Sequence, residues 1–196
     1  MNDLLAELQS QLGPNGIQML SQALGEDEAT VERATSASVP LLLEALSRNA
    51  STEEGAQSLY SALQEDHDGS VLNNIGGLMS NPQAFDGAAI LGHVFGGNRQ
   101  PVEEDLSRGT GLNANSMGML LQILAPIVMG MIGKKLQGQS VSPGDLSGLL
   151  GGQAQQAEDT QPGLLGNLSK ILDRNADGSV MDDLQRIAGG LFTKRN

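Results

Sequence analysis

The chain has no cysteine and no tryptophan, and only one tyrosine and three phenylalanines. The absence of thiols excludes disulfides, zinc–thiolate centres, iron–sulfur clusters and thiol catalysis. The shortage of aromatic residues means that any core is built from Leu, Ile, Val, Met and Ala, a set that suits helices better than a sandwich or barrel. Positive charge is scarce as well: eleven lysines and arginines face twenty-three acids, for a net charge of −12. Such a surface repels nucleic acid and anionic lipid and favours cations or basic partners. Short helices joined by glycine turns resemble a DNA-reading helix-turn-helix, but no basic recognition helix is present, and Lys194-Arg195 is too small a patch to replace one, so nucleic acid is not an expected partner. The first residues, Met1 to Glu7, lack a basic region, an apolar run and a cleavage site, so cytoplasmic residence is expected.

What the chain has is helical signal, and the expected fold class is all-α. Asp3 to Leu12 forms a short amphipathic pattern stopped by Gly13-Pro14-Asn15-Gly16, and Ile17 to Leu24 forms another that Gly25 ends. Asp27 is placed to cap the next helix. Pro40 either kinks that helix or divides it in two, because proline lacks the N–H and clashes one turn back. Thr52 or Ser51, followed by Glu53-Glu54, marks the start of a helix running to about Gln64. Val71 to Met79, Gly87 to Phe95 and Pro101 to Arg108 read as further helices. From Gly109 to Gly133 there is no charged residue, and Met117 to Ile132 is strongly apolar. This dense part falls short of the ~20 residues a membrane-spanning helix needs and contains Gln122 and Pro126, so a buried core helix over 116–136 is expected. A membrane-proximal helix is the alternative.

The pattern repeats. Aligning Gly25 with Gly111 brings Pro40 onto Pro126, Leu41-Leu42-Leu43 onto Ile127-Val128-Met129 and Leu46 onto Ile132. The expected core, residues 1–138, is therefore built from two similar helical repeats, about 17–60 and 103–137, with both proline-containing helices buried together. Residues 139–162 are rich in Gly, Gln and Ser and read as a flexible linker. Residues 163–196 read as a C-terminal helix-loop-helix.

The chemistry of the sequence is concentrated in that last unit. Counting Asp173 as position 1 of an EF-hand-like loop puts Asn175 at 3, Asp177 at 5, Gly178 at 6 and the Ser179 carbonyl at 7. Position 12 is Leu184 rather than Glu, and Asp183 one residue earlier closes the sphere, as in shortened EF-like loops. Oxygen ligands at alternate positions around a glycine turn fit a hard cation, so Asp173, Asn175, Asp177, Ser179 and Asp183 are the candidate ligands and Ca2+ the candidate ion. The structural alternative is an Asx-turn joining two helices, with Gly178 at positive φ. A fainter copy runs from Gln64 through Asp66, Asp68, Gly69 and Ser70 to Asn74, with only two carboxylates.

Three segments carry a family resemblance: Gln64-Glu65-Asp66-His67-Asp68-Gly69-Ser70-Val71-Leu72-Asn73-Asn74, Gly87-Ala88-Ala89-Ile90-Leu91-Gly92-His93-Val94-Phe95-Gly96 and Leu124-Ala125-Pro126-Ile127-Val128-Met129-Gly130. Together they resemble the bacterial domain-of-unknown-function family 937, related to YidB-like proteins. The resemblance covers about residues 1–138. It implies an all-helical fold and supplies no activity, substrate or catalytic residue.

Elsewhere the chemistry is thin. His93 lies in an apolar segment and is expected at the core or its boundary, while His67 occupies a non-ligand position of the fainter loop. Neither belongs to a nucleophile motif. The glycine-rich run Gly92 to Gly97 lacks the Lys and Thr of a phosphate loop. The expectation is a non-enzymatic helical interaction or scaffold protein with an unidentified protein partner and a calcium-binding tail. The alternatives are a membrane-proximal protein using 116–136 and an enzyme.

Overall fold

A computed structural model describes residues 4–13, 15–137 and 141–160. Among them the structure is all-α, with no strand. The order is α1 (Leu4–Leu12), α2 (Gly16–Leu24), α3 (Glu28–Asn49), α4 (Glu53–Glu65), α5 (Ile75–Ser80), α6 (Gly87–Phe95), α7 (Arg99–Thr110), α8 (Ala114–Gln137) and α9 (Leu146–Thr160), with short 3-10 turns before α5, α6, α7 and α9.

The two long helices begin alike. Gly25 and Gly111 both adopt the left-handed conformation that ends a helix, and each donates its N–H to the carbonyl of a serine, Ser21 and Ser107. Each serine hydroxyl in turn donates across the turn, to the carbonyls of Glu26 and Leu112 at 2.5 Å. Asp27 then caps α3 by accepting from Thr30 N–H at 2.9 Å, and Asn113 accepts from Ser116 N–H at 2.9 Å at the start of α8. Hydrogen bonding from the Thr30 side chain, and then from its backbone N–H, holds the Asp27 carboxyl below the usual carboxylate range.

Both prolines lie inside continuous helices, so Pro40 does not divide α3. Burial makes this tolerable: Val39, Leu41, Leu42 and Leu43 are fully buried around it, as are Ala125, Ile127 and Val128 around Pro126. Pro126 cannot donate to the Gln122 carbonyl one turn back. Gly87 of α6 packs on that carbonyl so closely that a Cβ there would lie 2.0 Å from the oxygen.

Helices α3 and α8 pack on each other at the centre, and the other helices surround them. By length and composition α8 is apolar enough to cross a membrane, yet 89% of its most apolar window is buried inside the fold. Such burial is the physical reason for a greasy helix in an acidic chain: its side chains are removed from water by neighbours rather than by lipid.

The linker expected over 139–162 needs correction. Leu146–Thr160 is a helix, α9, that packs extensively on α3. Leu146, Leu150 and Ala154 recur at a helical spacing and are buried. Ser142 and Asp145 make a capping box just before it, and Ser47 and Ser147 hydroxyls each donate to the other's carbonyl. Gly148, Gly151, Gly152 and Gln153, which suggested a linker, lie between these anchors. Gly151, for example, lies against Ser47.

Candidate functional site

A trough of about 970 Å³ runs between α4 and α6, over α8. Both helices pack on α8, leaving a gap between them rather than a shared interface. The α4 wall is one helical face, Gly55, Ser58, Leu59, Ala62 and, just past the helix end, Asp66. The α6 wall is another, from Asp86 through Ala89, Ile90, His93 and Val94. Pro126 and Met129 of α8, with Leu46 and Asn49 at the end of α3, make the floor.

Local sequence sets these walls. Thr52 caps α4 by accepting from Gly55 N–H at 3.1 Å, so Glu53 and Glu54 are first-turn acids, as expected. Glycine allows the close approaches. A Cβ on Gly55 would lie 1.9 Å from the Asn49 carbonyl oxygen, and a Cβ on Gly133 of α8 would lie 1.9 Å from that of His67. The Asn49 amide donates to the carbonyls of His93 and Val94 at 3.2 Å, tying the end of α3 to the end of α6. Asp86, which starts the α6 wall, has φ of 55° and is the one non-glycine residue at positive φ among those described.

Both histidines of the chain line this trough. His93 is exposed, so its expected place at the core or its boundary gives way to a place on the α6 wall. His67 is about half buried, and burial pushes its pKa below the usual histidine value, with Asp66 and Asp86 pulling the other way. Among the described residues no group of three or more His, Asp or Glu side chains is close enough together to hold a metal ion.

The fainter acidic loop is built as a turn. Asp68 accepts from Ser70 N–H at 2.9 Å, an Asx-turn that lowers its own pKa. Gly69 takes φ of 94°. Asn74 caps α5 through Gly77 N–H, and the Gln64 amide donates to Tyr60 Oη. Asp68, Asn74 and Gln64 are thus bonded to local backbone or to a neighbour, while Asp66 stands exposed. Val71 to Met79 is correspondingly not one helix: a 3-10 turn over Ser70–Asn74 precedes α5. The stronger loop, with Asp173, Asn175, Asp177, Ser179 and Asp183, lies outside the described residues, as does the helix-loop-helix expected over 163–196.

The trough itself was not legible as a site. Its walls come from segments 20 to 30 residues apart, and their small residues, Gly55, Ser58, Ala62 and Ala89, read as ordinary helix surface. The only available signal was that α6 carries Asp86, Ala89 and His93 along one side of an otherwise apolar helix.

No curated protein and no solved structure matches the chain. Residues 6–135, the span of α1 through α8 and therefore of every wall of the trough, match the family described as "Bacterial protein of unknown function (DUF937)", and the chain belongs to that family.

Proposed function

We propose that this is a non-enzymatic helical interaction protein of the cytoplasm, which receives a protein partner in the trough between α4 and α6 and binds calcium through its C-terminal loop. The observation that carries the first half is the trough: an open, apolar-floored gap left between two helices that each pack on α8. Gaps of this kind accommodate a further helix. The second half rests on the spacing of Asp173, Asn175, Asp177, Ser179 and Asp183, whose carboxylates repel one another unless a cation or solvent screens them. A membrane-proximal role through 116–136 would have to draw α8 out of the core it occupies.

The same reading includes an internal duplication, about 17–60 with 103–137. It is supported by recurrence of the left-handed glycine, the serine bridge, the Asx cap and the helical proline, all at one spacing.

Calorimetric titration of calcium into the intact chain, beside Asp173→Ala/Asp177→Ala, tests the metal site. Heat in the parent that disappears in the variant is the expected result. Absence of heat in the parent, with unchanged circular dichroism, reduces the loop to an acidic turn.

A further inference from the structure

We infer that the trough between α4 and α6 takes a basic amphipathic helix from a partner protein. This rests on the interaction reading above and adds the partner's chemistry; it is independent of the calcium loop.

Shape comes first. The α4 wall extends from Gly55 to Asp66, about 16 Å at the helical rise, or some three turns. Both walls are single helical faces. Small residues stand on both walls: Ser58 and Ala62 on one side, Ala89 on the other. Small residues at these positions let a third helix approach both walls, as ridges enter grooves. Part of the lining is apolar and incompletely covered. Leu59, Val71, Phe85 and Val94 are only partly buried against the core, and all four line the trough. A partner helix with an apolar face removes them from water.

Charge comes second. Asp66 and Asp86 stand at the rim, both exposed, and no lysine or arginine lines the trough. The whole chain carries −12, so approach of an acidic or neutral helix gains nothing from the field, whereas a basic one is drawn in. A helix bearing Leu along one face and Lys along the other satisfies floor and rim together.

The probe is a fluorescein-labelled 14-residue amphipathic peptide of Leu and Lys, read by polarisation against the full chain at two salt concentrations. Counterparts carry Glu or Gln in place of Lys. The expected result is saturable binding of the Lys peptide that weakens with salt. It weakens about fivefold in Asp66→Asn/Asp86→Asn and is unchanged in Glu28→Gln/Glu32→Gln, which removes the same charge from the exposed start of α3. Ala89→Trp, which fills the trough from an exposed position, abolishes it. Equal loss in the two charge variants would mean attraction to net charge alone and overturns the inference. Binding of the Glu or Gln peptide as tightly as the Lys peptide, with loss in Ala89→Trp, keeps the trough as a docking site and overturns its basic specificity. Failure of all three peptides to bind overturns both readings. Saturable binding of a dansyl-labelled alkylamine that Ala89→Trp abolishes, where no peptide binds, marks a small-molecule site and overturns the helix.

Discussion

Replacing Gly133 by alanine tests whether the contact between α4 and α8 has been read correctly. A Cβ there would lie 1.9 Å from the His67 carbonyl oxygen and 2.7 Å from that of Leu63. Both are backbone atoms at the end of α4, so no side chain can swing aside. The helices must separate by roughly 1–1.5 Å to restore van der Waals contact. Overpacking of this kind costs about 3 kcal/mol, and alanine recovers about 1 kcal/mol through its helix propensity. The net loss is about 2 kcal/mol, or a fall in Tm of roughly 4–8 °C for a domain of this size. The same substitution at Gly92 in α6 has the opposite sign. Nothing lies within 4 Å of a Cβ there, so only the propensity gain of about 0.5–1 kcal/mol remains. Thermal and urea unfolding of Gly133→Ala and Gly92→Ala, followed by circular dichroism, decide the matter. Unfolding of Gly133→Ala within experimental error of the parent would refute the packing, and equal destabilisation by both would show that glycine content, not contact, is being measured.

Leu150→Ala, at a fully buried site on α9, should cost about 2–5 kcal/mol in urea unfolding; a neutral result would return residues 139–162 to the role of linker. The pH dependence of stability should carry a His67 component. Its pKa is lowered in the fold by burial, so the unfolded chain binds the extra proton first. The stabilisation is therefore complete above the ordinary histidine value of 6.5 and is lost as pH falls through that value toward the lower folded one. Urea midpoints from pH 7.5 to 5.5 should fall less steeply in His67→Asn than in the parent, while Asp27, Asp68 and Asp145, all lowered, act only in the more acidic carboxylate range.

Local signals were legible in the sequence wherever neighbouring residues decide the structure. Asp27 and Thr52 are caps because their side chains reach an N–H three positions ahead, and Gly25 ends α2 because it can take positive φ. The long apolar run was legible as a core helix because its dense part is too short to span a bilayer and contains Gln122 and Pro126. Two things were not. Helix α9 carries its buried residues in a background of Gly, Gln and Ser, and its stability comes from α3 rather than from propensity. The trough depends on where α4 and α6 settle on α8, and that is fixed by Gly133 and Gly87, whose requirement is the absence of a side chain. Nothing in a glycine's neighbours tells a close approach from a helix end.

On the proposed duplication, corresponding positions of the two copies can be compared across the trough. At the spacing that aligns Gly25 with Gly111, Asn49 aligns with Lys135 and Glu7 with His93. Lys135 Nζ meets the Glu7 carboxylate at 3.1 Å, bonding α8 to α1 through their side chains. On the other side Asn49 bonds only the backbone carbonyls of His93 and Val94, and the imidazole is left facing the trough. The fourth helices differ too. Helix α9 packs extensively along α3 and also meets α1, whereas α4 buries only Ala56 and Leu63 fully and leaves α6 across a gap. On the duplication reading, these positions have diverged: one carries an ion pair between α8 and α1, and at the other an asparagine side chain bonds the backbone at the end of α6.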